Sequence, residues 1–315
     1  APIKTAVPLP SQTAANKMPE AEADAASVAQ SGTVIDDGLF QDSSFPPTAV
    51  SIHGSSPPPP GEKPAPLPTP HSWRRFADLW PVETLPPTDA SLITVQQGPF
   101  LGDCWLLSPL TALVARRPSV FRELFAACTA EDVAEGRAKI MLCPHGWRRE
   151  IEVDTLLPCD EKGRPLFVGT VGAGWAAIVE KAFAKHLGSY AALEGGRCIE
   201  ALVDLTGGVC QQLKIEPEAE ALAALAASLR KWHDQRHLLC CTRRARTKDE
   251  EDDNPQVPSN HAYAVVDVIK QESVMLRDPA AVRAEIEEDD DSTEPDERYQ
   301  PPTFPSDVSV PMDLF

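Results

Sequence analysis

The feature that most restricts the fold of this chain is a turn that contains glycine and proline and is followed directly by an apolar segment. The turn contains Gly98, Pro99 and Gly102, and the apolar residues 104–114 follow Asp103 with helical spacing. Asp103 is a favourable N-cap residue, so the first apolar residue, a cysteine, is predicted to lie in the first turn of a helix. The positive end of a helix dipole stabilises a thiolate, which is the nucleophilic form of cysteine. This cysteine is therefore a candidate nucleophile, although a free cysteine is more often a small buried apolar residue.

A second segment supplies a candidate base for that nucleophile, Cys104. His261 begins a run of apolar and β-branched residues, 262–269, that predicts a buried strand. A cysteine nucleophile needs a base with a pKa near about 7, and histidine provides one. His261 lies 261 − 104 = 157 residues after Cys104, an order and separation typical of papain-like proteases. Asp278 ends the next short predicted strand and is the candidate for orienting the imidazole ring.

Several motifs along the chain resemble the protease core of the calpain family. Residues 96–107, around Cys104, resemble the family's nucleophile signature, and residues 261–263 resemble its His-Ala-Tyr motif. Further stretches similar to the family sequence are residues 38–47, 73–75, 174–185, 188–196, 200–209 and 276–279. The resemblance covers the chain from about residue 38 to its end, with the motifs in the family's order.

Helical patterns fall mainly in the first half of this region and strand patterns in the second. The predicted helices cover residues 104–124, 175–187 and 216–232, with Pro217 in the first turn of the last; the predicted strands cover residues 138–143, 149–155, 238–242, 261–269 and 273–276. This distribution predicts an α+β fold with two lobes. The family resemblance implies a papain-like architecture, in which a helical lobe and a β-sheet lobe flank the active-site cleft.

The N-terminal part of the chain differs in composition from the rest. Residues 1–71 are rich in Ala, Pro, Ser and Thr, which predicts a disordered segment and linker that carries the motif of residues 38–47. The proline-rich end of this segment, residues 57–68, is expected to be an extended spacer. The alternative is that this proline-rich end is itself a ligand that binds in an aromatic groove of a partner domain.

Two protease subdomains are expected after the linker. The first is a helical subdomain over residues 72–211 that carries Cys104. The second is a β-rich subdomain over residues 212–315 that carries His261 and Asp278. The resemblance implies that the cleft between them binds an extended segment of a protein substrate.

The resemblance implies a cysteine-type endopeptidase that hydrolyses peptide bonds of protein substrates. The Cys104 thiolate would attack the peptide carbonyl, and His261, oriented by Asp278, would protonate the leaving amine and then activate water. The oxyanion of the tetrahedral intermediate needs at least two hydrogen-bond donors. The backbone N–H of Cys104 is one of them, and the resemblance assigns the other to the Gln97 side chain.

Four departures from the family pattern bear on this activity. The loop after Gln97 has one residue more than the family loop, and Pro109 falls inside the predicted nucleophile helix, where it should remove a hydrogen bond and kink the helix at a cost of about 3 kcal/mol. Asp278 replaces the family's Asn, and Ala280 replaces its Trp. The last strands of the family core are also expected to be missing. The alternative function is therefore a catalytically attenuated calpain-like scaffold that binds protein partners without turnover.

Calcium is a separate expectation that comes only from the resemblance. In the family, acidic side chains of the core bind two calcium ions, and binding brings the lobes together. Thr94 and Ala173 stand where the family has Asp and Glu, and the chain contains no EF-hand pattern. We therefore expect no required cofactor and no metal site, with calcium binding left open by the resemblance.

The net charge of −18 argues against nucleic acid as a partner. Much of the charge lies in two predicted acidic loops, residues 249–253 and 285–297. Runs of this kind are usually solvated and disordered, and the alternative is that they bind a basic partner by charge. The sequence does not identify other domains or subunits.

The eight cysteines have no spacing typical of a small disulfide-bonded domain. They indicate reduced thiols and therefore an intracellular, cytoplasmic location. Neighbouring residues of a strand point to opposite faces, so Cys240 and Cys241 cannot both face one core. No apolar run reaches the ~18 residues of a membrane span, and no secretory signal is expected.

Overall fold

The protein is described by a computed structural model that covers residues 37–55, 67–87, 95–168, 174–215, 218–244, 257–269 and 273–280 and the backbone of residues 307–311. Thr94, Ala173, Pro217 and the two acidic loops lie outside the described residues. The helices in the described ranges are α1 Ala49–His53, α2 Phe76–Leu79, α3 Cys104–Arg116, α4 Pro118–Glu123, α5 Ala130–Ala134, α6 Trp175–Leu187, α7 Cys198–Thr206 and α8 Ala219–Asp234. The strands are β1 Ser72–Arg75, β2 Arg137–Leu142, β3 Arg149–Asp154, β4 Leu156–Cys159, β5 Cys240–Arg243, β6 His261–Ile269, β7 Ser273–Arg277 and β8 Asp307–Pro311.

The strands pair in three antiparallel sheets. β1 pairs with β4, and β2 pairs with β3 as the predicted hairpin, with Ile140 opposite Ile151. The third sheet has the strand order β5-β6-β7-β8. Its first three strands were predicted from their apolar runs, and β8 was not, so the sheet is larger than expected.

Two hydrophobic cores define the two lobes. The larger core surrounds α3 and α6 and includes Leu106, Leu110, Trp175, Ile178 and Phe183. The smaller core lies between α8 and the four-stranded sheet and includes Ala226, Tyr263, Val265, Val268, Val274 and Leu276. The structure therefore has the predicted α+β architecture, with a helical lobe and a β-sheet lobe. Helix α3 lies at the boundary, because it packs against α7 of its own lobe and against β6 of the other.

The predicted helix over residues 104–124 is two helices in the structure. α3 ends at Arg116, and α4 begins at Pro118, with Arg117 between them at φ −136° and ψ 60°. Proline disfavours the helical conformation of the residue before it, and its fixed φ suits the first position of a new helix. Pro118 therefore explains why the prediction of a single helix is wrong.

Part of the segment predicted to be disordered is packed against the helical lobe. Phe45, Ile52 and Leu67 are buried in the larger core, and the Arg75 guanidinium pairs with Asp37 at 2.8 Å. The prediction of disorder over residues 1–71 is therefore wrong for residues 37–55 and 67–71. A short stretch of this segment carries enough apolar side chains to pack into the core of the helical lobe, although the composition of the whole segment predicts disorder.

Candidate active site

Cys104 is the first residue of α3, as the turn and the apolar run predict. Residues 105–114 of the helix are buried, whereas the Cys104 side chain is only half-buried. The first backbone N–H groups of a helix have no partner within the helix and carry partial positive charge. These groups are therefore available to an anion that forms beside the Cys104 sulfur.

Asp103 occupies the N-cap position, but its carboxyl group does not cap the helix. Its backbone carbonyl accepts hydrogen bonds from the N–H groups of Leu106 and Leu107, at 2.8 and 3.1 Å. Its side chain makes no cap hydrogen bond and is 1% exposed. The side chain instead lies beside Glu180 of α6, which is also buried.

Asp103 and Glu180 form a buried carboxyl pair behind the nucleophile. Burial raises the pKa of Asp103 to about 7, although a hydrogen bond with Glu180 acts to lower it. Burial, followed by the negative charge of Asp103, raises the pKa of Glu180 well above its usual range. Two adjacent buried carboxyl groups hold a shared proton more favourably than two negative charges. We conclude that this pair carries at least one proton at neutral pH.

His261 is the first residue of β6 and faces the start of α3. Its Nε2–H donates a hydrogen bond of 2.7 Å to Asp278 Oδ1, and both side chains are 14% exposed. The backbone N–H of Ala280 donates to the same oxygen at 2.7 Å, which fixes the carboxylate. Burial acts to lower the pKa of His261, but its hydrogen bonds with Asp278 and Cys104 outweigh burial and raise the pKa to about 10. Because Nε2 contacts Asp278, Nδ1 is the ring nitrogen that remains for the Cys104 sulfur.

Two hydrogen bonds join the lobes on either side of this cluster. The Ser108 hydroxyl, one helical turn after Cys104, donates to the carbonyl of Ala262 at 2.8 Å. The backbone N–H of Gln97 donates to the carbonyl of Pro279 at 2.7 Å, beside the Asp278 carboxylate. The lobes are therefore held together close to Cys104 and close to the group that orients His261.

The Gln97 side chain is buried in the loop that precedes α3. One N–H of its Nε2 group donates to the carbonyl of Leu101 at 2.7 Å and closes the loop on itself. The loop passes so close to the Phe167 backbone that a Cβ atom at Gly98 would lie 1.4 Å from the Phe167 carbonyl oxygen. The extra residue of this loop is therefore accommodated by a compact turn, and the amide keeps a second N–H group.

Two other sequence departures are accommodated in the structure. Pro109 is buried inside α3, and the helix continues through it from Cys104 to Arg116. Ala280, with its small side chain, still contributes the backbone N–H that holds Asp278. The rings of Tyr263 and His261 pack edge to face at a centroid distance of 4.9 Å. The imidazole is thus partly covered by a residue of its own strand.

Three residues that support this cluster were not predicted from the sequence. Ser108 and Glu180 lie on predicted helices but were treated as parts of apolar or family motifs. The third residue is Trp105, which donates through Nε1 to the Leu193 carbonyl at 2.8 Å. A spacing of four residues from Cys104 places Ser108 on the same helix face, which was a usable signal. Glu180 had no local signal, because its partner lies on another helix.

In the part of the chain that the structure describes, no three His, Cys, Asp or Glu side chains lie together in a way that could hold a metal ion. Thr94 and Ala173, which stand where the family has acidic ligands, lie outside this part of the chain.

The described helices include none that is long and apolar enough to cross a membrane.

The α+β fold with a helical lobe and a β-sheet lobe is the papain-like fold of cysteine proteases. The sequence model described as calpain family cysteine protease matches residues 40–283, and this chain belongs to that family. Calpain-type cysteine protease DEK1 of Arabidopsis thaliana is 33% identical over 207 residues, which are 62% of this chain and 9% of that protein.

Two animal calpains show a similar relationship. Calpain-14 of Homo sapiens is 31% identical over 234 residues, which are 74% of this chain and 32% of that protein. The calpain-1 catalytic subunit of Mus musculus is 33% identical over 175 residues, which are 55% of this chain and 24% of that protein. The matched region is thus a third or less of each relative's own length, so the properties of the whole relatives do not transfer to this chain directly.

Proposed function

We propose that this protein is a cysteine-type endopeptidase that hydrolyses peptide bonds of protein substrates. The observation that carries the proposal is the 2.7 Å hydrogen bond between His261 and Asp278, together with the 2.8 Å bond from Ser108 to Ala262, which holds the helix of Cys104 against the strand of His261. Membership of the calpain family supports protease chemistry in general. The roles of the individual residues are part of the proposal.

In the first half of the reaction, the Cys104 thiolate attacks the substrate carbonyl carbon. His261 is an imidazolium at this stage, which agrees with its raised pKa of about 10. It donates its Nδ1 proton to the leaving amine, so the C–N bond breaks and a thioester with Cys104 remains. Asp278 keeps the ring in the orientation that points Nδ1 towards the sulfur.

In the second half, His261 is neutral and takes a proton from a water molecule as that water attacks the thioester. The C–S bond breaks, the acid product leaves, and the Cys104 thiolate and His261 imidazolium are restored. Asp278 carries full negative charge where the family has a neutral Asn. It therefore stabilises the imidazolium more strongly, which favours the ion pair and makes the imidazolium a weaker acid.

The developing oxyanion is assigned two donors. One is the backbone N–H of Cys104, in the first turn of α3. The other is the second N–H of Gln97 Nε2, the amide that already donates one hydrogen to Leu101. A single donor of this kind is worth about 2.7–4 kcal/mol of transition-state stabilisation.

The contact between Gln97 and Leu101 also favours the second candidate, an attenuated scaffold. An amide held by its own loop has less freedom to turn towards an oxyanion, and this loop carries the extra residue. A scaffold of this kind would bind peptides in the cleft but would not cleave them. The two candidates therefore differ in turnover and not in binding.

Selective labelling of Cys104 tests the proposal. The folded protein is treated with limiting iodoacetamide or a peptidyl epoxide, and the labelled cysteines are identified by peptide mapping. We expect Cys104 to react faster than the other seven of the eight cysteines. His261→Ala should slow labelling at Cys104 alone, whereas the matched control His237→Ala, at an exposed position, should not.

Turnover is measured on a dye-labelled unfolded protein with the same variants. Cleavage that is lost in both Cys104→Ala and His261→Ala supports the endopeptidase. Equal labelling rates for all eight thiols, with no cleavage, would exclude it. Peptide binding without cleavage, unchanged in Cys104→Ala, would establish the scaffold.

The proposed setting is a reducing compartment, the cytoplasm, with proteins as substrates. All eight cysteines are free in the structure, which is the state expected under reducing conditions. The net charge of −18 disfavours nucleic acid and suits contact with basic or neutral protein segments. Expression of a tagged chain and separation of cell fractions test the location.

A further inference from the structure

Gly102, which lies two residues before Cys104, is bonded to a neighbouring segment through both of its backbone polar groups. Its N–H donates a hydrogen bond of 2.8 Å to Glu194 Oε2. Its carbonyl accepts a hydrogen bond of 3.0 Å from the N–H of Gly195. A carboxylate binds an N–H group more strongly than a neutral acceptor does. Glu194 therefore helps to fix the plane of the peptide that joins Leu101 to Gly102.

The same peptide also holds one of the two assigned oxyanion donors. In a trans peptide, the carbonyl and the N–H point in opposite directions. The Leu101 carbonyl accepts the 2.7 Å hydrogen bond from Gln97 Nε2, while the Gly102 N–H donates to Glu194. One rigid peptide plane thus lies between the Gln97 amide and the Glu194 carboxylate. Rotation of this plane would move the Leu101 carbonyl and change the direction of the second Gln97 N–H.

The other assigned donor, the N–H of Cys104, lies in the peptide that joins Asp103 to Cys104. The Asp103 carbonyl of this peptide accepts hydrogen bonds from Leu106 and Leu107 of α3. The peptide is therefore held by the helix on one side, and on the other side it follows the bonded residue Gly102. The two hydrogen bonds at Gly102 thus restrain the backbone next to both donors.

The segment that carries Glu194 is attached to the helical lobe by other groups. Leu193 is buried in the larger core, and its carbonyl accepts the 2.8 Å hydrogen bond from Trp105 Nε1. The Gly195 N–H makes its own bond to the Gly102 carbonyl. None of these contacts uses an atom of the Glu194 side chain, which is exposed. Loss of that side chain should therefore leave the segment in place and remove the acceptor of the Gly102 N–H.

We propose that Glu194 is a positioning residue for the oxyanion hole, and that it orients the Gln97 amide and the Cys104 N–H through the backbone of Gly102. The inference rests on the proposed proteolytic function and adds a residue to it. In this role Glu194 accepts one hydrogen bond and transfers no proton. Its effect should therefore appear when the oxyanion forms, and not in substrate binding or in the nucleophilicity of Cys104.

The space at Gly102 gives a second way to disturb the same contact. A Cβ atom at Gly102 would lie 2.8 Å from Glu194 Oε1, which is too close for a stable contact. Oε1 is the end of a flexible side chain, so Gly102→Ala should displace the carboxylate. Because Glu194→Ala and Gly102→Ala remove one contact, their effects on kcat should be less than additive. The same is expected of Glu194→Ala combined with Gln97→Glu.

The first measurement is the cleavage of a dye-labelled unfolded protein by full-chain variants. Glu194→Ala should lower kcat by roughly tenfold to a hundredfold with little change in KM, because both donors lose their alignment. Glu194→Gln keeps an oxygen that can accept the Gly102 N–H and should restore most of kcat. The matched control is Glu200→Ala, which removes an exposed carboxylate on α7 and should change neither parameter.

The second measurement needs no turnover. The Cys104 thiolate adds to the carbonyl carbon of a tripeptide aldehyde with apolar side chains, and the aldehyde oxygen becomes the oxyanion of the adduct. Protection of Cys104 against iodoacetamide gives the dissociation constant, which Glu194→Ala should raise roughly tenfold or more. Iodoacetamide itself forms no oxyanion, so its rate with Cys104 should be equal in both proteins. The matching peptide alcohol, which forms no adduct, should bind both equally.

These two measurements distinguish a failure of the inference from a failure of the proposed function. Weaker aldehyde binding in Glu194→Ala, in a chain that cleaves nothing, supports the inference and contradicts the endopeptidase. Cleavage with equal kcat and equal aldehyde binding in Glu194→Ala overturns the inference alone. A rise in kcat, or a rise in KM at constant kcat, overturns it as well, because Glu194 would then restrain Gln97 unproductively or contact the substrate. A Cys104 that reacts with neither reagent overturns both.

Discussion

The hydroxyl of Ser108 donates a hydrogen bond of 2.8 Å to the carbonyl of Ala262, and both groups are buried. Ser108 lies one helical turn after Cys104, and Ala262 directly follows His261. The bond therefore connects the helix that presents the sulfur to the strand that presents the imidazole. It is a direct structural constraint on the distance between the two groups.

Replacement of Ser108 by alanine should weaken both the fold and the reaction. The Ala262 carbonyl would stay buried without this donor, at a cost of about 1–3 kcal/mol in the free energy of unfolding. A small displacement of reacting groups lowers rates strongly, so we expect kcat/KM to fall by roughly tenfold to a hundredfold. Urea denaturation and substrate cleavage measure the two effects.

Thr111→Val is the control, because the Thr111 hydroxyl bonds to Leu107 within α3 at 2.8 Å and does not cross between the lobes. It should change stability without a comparable loss of kcat/KM. Equal activity in Ser108→Ala and in the unchanged protein would show that packing alone sets the position of His261.

The alkaline limit of activity should depend on Asp278. The pKa of His261 is raised from 6.5 to about 10, so the imidazolium and the stability it contributes are fully present below pH 6.5 and are lost as the pH rises through about 10. Asp278→Asn keeps a hydrogen-bond acceptor but removes the negative charge. We expect the alkaline limb of the pH profile of kcat/KM to move down by roughly one pH unit or more.

Asp278→Ala should show the same downward shift and, in addition, a loss of kcat, because the hydrogen bond that orients the ring is then lost. Asp267→Asn, at an exposed position of the same strand as His261, is the matched charge control and should leave the alkaline limb in place. A limb that does not move in Asp278→Asn would mean that Asp278 positions His261 without holding its charge.

The buried carboxyl pair should make stability fall as the pH rises. The folded state keeps protons that the unfolded state releases, because the pKa of Asp103 is raised from 3.8 to about 7 and burial raises the pKa of Glu180 well above its usual range. The stability cost is absent below pH 3.8 and grows as the pH rises towards about 7, at a slope of up to roughly 1.4 kcal/mol per pH unit for each proton. Among the described residues, Glu194 and His261 are charged groups that also act on Asp103.

Glu180→Gln removes one of the two acids and should make this slope shallower, so the variant gains stability relative to the unchanged protein at pH 8 but not at pH 4. Thermal unfolding across this pH range measures it. Glu161→Gln, the same change at an exposed position, should leave the slope as it is. An unchanged slope in Glu180→Gln would mean that Asp103 and Glu180 are both ionised in the folded state.

Gln97 should contribute to kcat through its amide N–H. Gln97→Glu has nearly the same shape but cannot donate, and we expect kcat to fall by about a hundredfold to a thousandfold. Gln96→Ala, at the neighbouring buried glutamine, should have a much smaller effect. A larger effect at Gln96 would place the oxyanion donor one residue earlier in the chain.

Calcium should have no effect on activity or stability. The expectation rests on Thr94 and Ala173, which stand where the family resemblance implies the Asp and Glu of a calcium site. Cleavage rate and melting temperature are compared in a chelator and in millimolar calcium. A rise of either in calcium would show that ligands exist elsewhere in the chain.

Local sequence patterns predicted where the candidate site residues lie, because each of them lies at the end of a single segment. Cys104 follows from a turn and an apolar helix, and His261 and Asp278 follow from the ends of two apolar strands. The buried neighbours were not predictable in this way. Ser108 and Glu180 acquire their partners only when α3 packs against β6 and α6, and single-segment patterns carry no information about such packing.

The same distinction applies to the fold. Segments with a strong pattern of their own were predicted correctly, and segments whose burial depends on the rest of the chain were not. Long periodic segments such as α6 were found with their correct ends, because an amphipathic pattern fixes a helix by itself. Residues 37–55 were assigned to disorder because their own composition could not support a core. Their burial depends on apolar surface that the helical lobe supplies.

The hydrogen bond from the Gln97 N–H to the Pro279 carbonyl connects the loop before α3 to the loop that carries Asp278. A movement of the lobes that opens the cleft must break this bond. The same movement separates Gln97, the assigned oxyanion donor, from Asp278, which orients His261. A molecule with separated lobes would therefore lose the assigned catalytic arrangement as a whole. A ligand that kept the two lobes apart would therefore be expected to block the proposed proteolysis.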